Sequence, residues 1–172
     1  MFIAIDGYNF IKQSPELHRL EQIELQKGRE GLIEKLAQYK RLKGHAIAVV
    51  FDGAPQGTLV ERRERSRGIE IIFSKPGEKA DDVLKRLSAE KREGITVVTS
   101  DRDVALFAAK KGAITIAVSD FAEKMEMAQI HVWKGGESEI LSPDRPVAPV
   151  KKGPSHRLSK SQRMAAAAAK KL

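Results

Sequence analysis

Five short apolar runs punctuate the chain, and most are cut off by an acid. Phe2-Ile3-Ala4-Ile5 stops at Asp6, Ala46 to Phe51 stops at Asp52-Gly53, and Ile95 to Thr99 stops at Ser100-Asp101. Ile69 to Phe73 and Ala113 to Val118 complete the set. Runs this short and this apolar predict strands buried on both faces. Between them the period changes. Leu32, Ile33, Leu36, Tyr39 and Leu42 form a stripe at helical spacing within Leu25 to Lys43, closed by Gly44. Ala80 to Glu90 and Arg102 to Lys111 read as helices, and Ser119 or Asp120 caps a last helix to about Gln129. Pro15 opens a short helix through Leu20 after a polar loop that follows Asn9. Thr58 to Gly68 reads as a charged, irregular segment, and Ile130 to Trp133 as a short edge strand.

Strands alternating with helices across long crossovers predict an α/β three-layer sandwich around a mostly parallel sheet of about five strands. Residues 1–133 form this domain. Residues 134–157 carry Gly135, Gly136, Pro143, Pro146, Pro149 and Pro154 and read as a linker. Residues 158–172 are a basic, Ala-rich tail, helix-forming in composition but too short to hold a helix alone.

Charge sharpens this division. The net charge of +8 comes from 31 basic and 23 acidic residues. Seven of the basic residues and none of the acids lie in residues 151–172, leaving 24 against 23 in the body. The tail therefore carries nearly all the basicity, and it reads either as a tether to RNA or a ribosome, which is favoured, or as a solubilising extension. With no cysteine in the chain, disulfides, thiolate catalysis and Cys-ligated zinc are excluded. No run approaches about 18 apolar residues, and the first run ends too soon for a secretory leader, so a cytoplasmic protein without membrane contact is expected.

The acids carry the candidate chemistry. Asp6, Asp52 and Asp101 each follow a predicted parallel strand, and ligands of open α/β sheets bind outside the carboxyl ends of the strands. Carboxylates gathered there raise each other's pKa unless a cation intervenes, and oxygen-only ligands suit Mg²⁺ or Mn²⁺. A fourth acid comes from Asp81-Asp82. With Ala80, Val83, Leu84 and Leu87 as the buried stripe, Asp81 lies beside it and Asp82 nearly opposite, which favours Asp81. Asp82 and Asp103 are weaker candidates, as is Asp52. Each acid also has a plain structural role open to it. Asp101 can cap the helix from Arg102, Asp81 and Asp82 suit a helix N-terminus, and Asp52-Gly53 is an ordinary turn pair. Asn9, in the loop after Asp6, is placed to orient a carboxylate or a water.

At these residues the chain resembles a known family. Ile5-Asp6-Gly7-Tyr8-Asn9, Val50-Phe51-Asp52-Gly53, Ala80-Asp81-Asp82 and Thr99-Ser100-Asp101 are similar to the motifs of the YacP-like branch of NYN domains, within the PIN-like nuclease superfamily. The resemblance covers about residues 1–130. It implies a PIN-like sandwich and a Mg²⁺- or Mn²⁺-dependent endoribonuclease acting on mRNA, in some members in association with ribosomes. It also implies that Asp6, Asp81 and Asp101 are the metal-site acids with Asn9 as their support, while Asp52 matches a family position without a firm catalytic role.

Candidate RNA-binding cations are Lys12, Arg62, Arg63, Arg65, Arg67 and Arg102, although the arginine run equally suits a solvated segment paired with Glu61 and Glu64. Tyr8 can stack on a base or simply be a half-buried loop residue. The four histidines, His18, His45, His131 and His156, lie outside every motif, which argues against histidine-based cleavage. The competing function is a PIN-like module that binds RNA or a ribosome without cutting. A dinucleotide or P-loop enzyme is disfavoured, since neither glycine fingerprint is present. An aspartyl phosphotransferase lacks a second acid two residues after Asp6. The Asp101-Arg102-Asp103 pair fits a topoisomerase–primase pattern, but no glutamate ends the first strand to complete it.

Overall fold

The computed structural model describes residues 1–53 and 60–135, with side chains to residue 130. The expected linker and basic tail lie outside the described residues, apart from the two residues that end the last helix. The chain runs β1 (Phe2–Asp6), α1 (Gly7–Gln13), α2 (Pro15–Ile23), α3 (Leu25–Lys43), β2 (Ala46–Phe51), β3 (Arg62–Ser66), β4 (Ile69–Phe73), α4 (Ala80–Lys91), β5 (Ile95–Val98), α5 (Arg102–Lys110), β6 (Ile114–Ile116) and α6 (Val118–Gly135).

One six-stranded sheet has the order β3-β4-β2-β1-β5-β6. All its pairings are parallel except β3 with β4. The apolar runs divide between two faces because side chains alternate along a strand. Ile3, Ile5, Val49, Phe51, Ile71 and Phe73 join one cluster with residues of α1, α2, α3 and α6. Ala4, Ala48, Val50, Ile72 and Val97 join the other with Val83, Leu84 and Leu87 of α4 and Val104 and Ala108 of α5. Helices thus cover both faces, as a parallel sheet requires.

The strand order has a functional consequence. From β1 the chain builds outward through β2 and β4, then returns to place β5 on the other side of β1. The topological switch point therefore lies between β1 and β5. Asp6 closes β1, and Asp101 follows β5 by three residues.

Four expectations need correction. The sheet has six strands, because Arg62–Ser66 is an antiparallel edge strand and not irregular chain. Its residues are all exposed or half-buried, so no apolar alternation marks it. A charged edge of this kind resists pairing with another chain. The turn into β4 places Arg67 at φ 51° and Gly68 at φ 81°, the left-handed pair that suits a two-residue hairpin. Second, the polar stretch after Asp6 is a helix, α1, with Asp6 as its N-cap. Third, no strand forms at 130–133, where α6 continues to Gly135, two residues past the expected domain boundary. Fourth, the last strand is shorter than expected and α6 begins at Val118.

Gly7 opens α1 against the fully buried Phe51 ring. A Cβ built there would lie 2.3 Å from the nearest ring carbon. Gly7→Ala should therefore lower stability by about 1–3 kcal/mol through overpacking. A fall in the urea midpoint at unchanged m-value would check this; a midpoint equal to wild type would contradict the close approach.

Candidate active site

Three strand ends and one helix start deliver acids to the carboxyl edge of the sheet. Asp6 ends β1 and is only 8% exposed. Its Oδ1 accepts the Asn9 backbone N–H at 3.0 Å, which caps α1. Burial pushes its carboxyl up to about 6; hydrogen bonds from Asn9 oppose this, and the charges of Asp81 and Asp52 add to it. Asp52 follows β2 and accepts the backbone N–H of Ala80, which ties that strand end to the start of α4. Asp81, half-buried in the first turn of α4, is also raised, first by burial and then by Asp101 and Asp52. Asp101 caps α5 through Oδ1, which accepts the N–H groups of Asp103 at 2.8 Å and Val104 at 3.0 Å. The cap role is thus realised, and it engages one oxygen of the carboxylate.

The two weaker acids have other partners. Asp82 is exposed, and its Oδ2 accepts the Lys79 backbone N–H at 3.2 Å in a capping box. Asp103 is 81% exposed and pairs with Lys85 Nζ at 2.5 Å, which lowers its pKa. By contrast, among the described residues none of Asp6, Asp52, Asp81 and Asp101 forms an ion pair. The charge of Lys85 opposes the rise at Asp81.

A polar bridge links α1 to the β5–α5 junction. Asn9 Nδ2 donates to Thr99 Oγ1 at 3.4 Å, and the same hydroxyl oxygen accepts the Asp101 N–H at 3.0 Å. Gln13 Nε2 donates to Asn9 Oδ1, and Ser100 Oγ donates to Gln13 Oε1 at 3.1 Å. Asn9 therefore touches both acids of the switch point, through its backbone for Asp6 and through Thr99 for Asp101. Gln13 carries no signal in the sequence because it sits in a stretch that reads as loop. One helical turn after Asn9 is the signal that α1 supplies.

The cation candidates scatter. Lys12 is exposed on α1 and Arg102 is exposed at the first turn of α5, beside Asp101. Arg62 pairs with Glu64, and Arg63 with Glu61 and Glu70. Arg65 stands on the same strand, in register with Glu70. Arg67 does not belong with the acids. It lies in the β3–β4 turn, at the opposite edge of the sheet, and pairs with Glu34. The arginine run is thus an edge strand, largely neutralised by its neighbours.

The residue types fit a hard divalent cation: oxygen donors only, mutually repelling, one of them buried. Among the described residues, no three acids are gathered tightly enough to enclose an ion by themselves.

The model of the YacP-like NYN domain matches residues 3–166. Uncharacterized protein YacP of Bacillus subtilis is 34% identical over 86 residues, a stretch that spans half of either chain. The crystal structure of Rae1 (YacP) from Bacillus subtilis superposes with a TM-score of 0.64 at 27% identity, covering 80% of each chain. The crystal structure of a mutant form of that protein gives a TM-score of 0.67 at 26% identity, covering 81% of this chain and 85% of that one.

Proposed function

The chain belongs to the family of YacP-like NYN domains, and on that premise we propose that it is a divalent-metal-dependent endoribonuclease that hydrolyses phosphodiester bonds in RNA. The observation that carries this is the set of four carboxylates at the switch-point edge, one of them buried, none paired with a base among the described residues. Burial and mutual charge raise Asp6 and Asp81, and a cation at this edge would offset that cost.

Asp6, Asp81 and Asp101 would hold Mg²⁺ or Mn²⁺, with Asp52 beside them. When bound, the ion supplies an acidified water and offsets charge that grows on the phosphate. The chain's own groups set the geometry. The Asn9 N–H fixes one Asp6 oxygen. The α5 cap does the same for Asp101, so both carboxylates enter pre-oriented. Asn9, Thr99, Ser100 and Gln13 hold the two strand ends together.

A labelled single-stranded RNA with Mn²⁺, with and without chelator, tests this. Chelator-sensitive cleavage is expected; RNA left intact under all metal conditions contradicts it. A non-cleaving RNA-binding or ribosome-interaction module is the second reading, and the absence of a closed three-acid cluster among the described residues favours it. That module binds the RNA in this assay and leaves it whole.

RNA is the expected partner, and the basic tail its tether, including to a ribosome. Removing residues 151–172 should weaken RNA binding and flatten its salt dependence, by up to about five units in log–log slope if all seven cations meet single-stranded phosphates. An unchanged slope contradicts the tether.

A further inference from the structure

We propose that Arg29 holds a backbone phosphate of the bound RNA strand beside the acid cluster, with Tyr8 as its positioning residue; this rests on RNA being the substrate. Arg29 lies on α3, far in sequence from Asp6, Asp52, Asp81 and Asp101. Its guanidinium carbon stands 5.4 Å from the Tyr8 ring centroid, 5.4 Å from that of Phe51 and 5.3 Å from that of Phe73. All three rings belong to the carboxyl edge. Tyr8 follows Asp6 by two residues, Phe51 directly precedes Asp52, and Phe73 is the register partner of Phe51. The rings also pack on each other, with Tyr8 and Phe51 at 5.1 Å and Phe51 and Phe73 at 5.8 Å. A cation from a distant helix is thus fixed at the acid edge, on the face covered by α1 and α3.

Its hydrogen bonding is half spent. Nε donates to the Tyr8 hydroxyl oxygen at 2.9 Å, and Nη2 donates to the same atom. The Nη1 group and the outer Nη2 hydrogen form the end-on fork of the guanidinium, and that fork has no partner among the described residues. Arg62, Arg63, Arg67 and Arg86 all pair with carboxylates. Arg29 pairs with none, although Asp6 and Asp52 neighbour the residues it touches. The rings attract a half-buried guanidinium without pairing off its hydrogen-bond donors. An open fork of that kind matches two oxygens of a phosphate. A polyanion approaching four carboxylates needs a fixed cation beside them, and Arg29 supplies one that the exposed lysines and the paired arginines do not.

The test is equilibrium binding of a fluorescent phosphorothioate single-stranded RNA to the intact chain in Mg²⁺, across a salt series. Arg29→Gln should weaken binding about tenfold and lower the slope of log affinity against log salt by about 0.7, one phosphate contact. Arg29→Lys should keep the slope and bind several-fold more weakly, since a point charge replaces the fork. Tyr8→Phe should likewise keep the slope and weaken binding. An Arg29→Gln protein that melts like wild type and keeps the wild-type slope overturns the assignment while leaving the nuclease reading intact. If Arg29→Gln does not fold, Arg29→Lys decides, and wild-type affinity there overturns it. A wild-type chain that binds no RNA overturns the nuclease reading and this inference together.

Discussion

Asp6→Asn should give a protein at least about a hundredfold slower in RNA cleavage and, without metal, more stable than wild type. The activity loss follows from removing the charge of the most buried acid in the cluster; even outer support of a metal ligand is worth about 10–100-fold. The stability gain follows from its pKa. Burial raises the folded-state value from 3.8 to about 6. The folded protein therefore binds the Asp6 proton more tightly than the unfolded chain does. Stability falls as pH rises from about 4 to about 6 and stays lowered above that. The cost at pH 7.5 is on the order of 2–3 kcal/mol, and asparagine avoids it while still capping α1. Urea unfolding in chelator should show the variant ahead at pH 7.5 and the gap closing towards pH 4. Saturating Mn²⁺ should reverse the order, since only wild type gains binding energy, about 2.7 kcal/mol at a hundred times Kd. A variant less stable than wild type at pH 7.5 in chelator would contradict the buried-charge account.

Neighbouring acids on α4 should behave oppositely. Asp81→Asn removes a half-buried carboxylate whose pKa is raised by burial and by Asp101 and Asp52. Cleavage should fall about a hundredfold or more, with little loss of stability. Asp82→Ala removes only the capping-box contact to Lys79. It should lower stability by about 0.5–2 kcal/mol and leave the cleavage rate within a few-fold of wild type. Rates and melts measured on both proteins decide it. Equal rates for the two would show that the phase of α4 does not select the metal-site acid.

Much of this edge is legible in the sequence because burial imposes it. β1, β2, β4 and β5 are covered on both faces, so they read as apolar runs, and the acids that follow β1, β2 and β5 announce where the sheet stops. The stripe of Ala80, Val83, Leu84 and Leu87 fixes the phase of α4, and with it the difference between Asp81 and Asp82. What the pattern hides is what long-range contact creates. β3 is a strand by virtue of β4 alone, since Arg62 to Ser66 has no buried face to advertise. α1 depends on a cap from Asp6, whose side chain reads equally well as a ligand. Gln13 and Arg29 reach the site through helices whose placement no local periodicity encodes. The arginine run drew attention by its density, yet its members largely neutralise local glutamates. Arg29 of α3 packs on Tyr8, Phe51 and Phe73 at the edge that carries the acids.

The most direct measurement is calorimetric titration of Mn²⁺ into the metal-free chain at pH 7.5, for wild type, Asp6→Asn, Asp81→Asn and Asp82→Asn. Saturable binding is expected for wild type and Asp82→Asn, and its loss in Asp6→Asn and Asp81→Asn. Binding that persists unchanged in Asp6→Asn and Asp81→Asn would contradict a cation held by these strand-end and helix-start carboxylates.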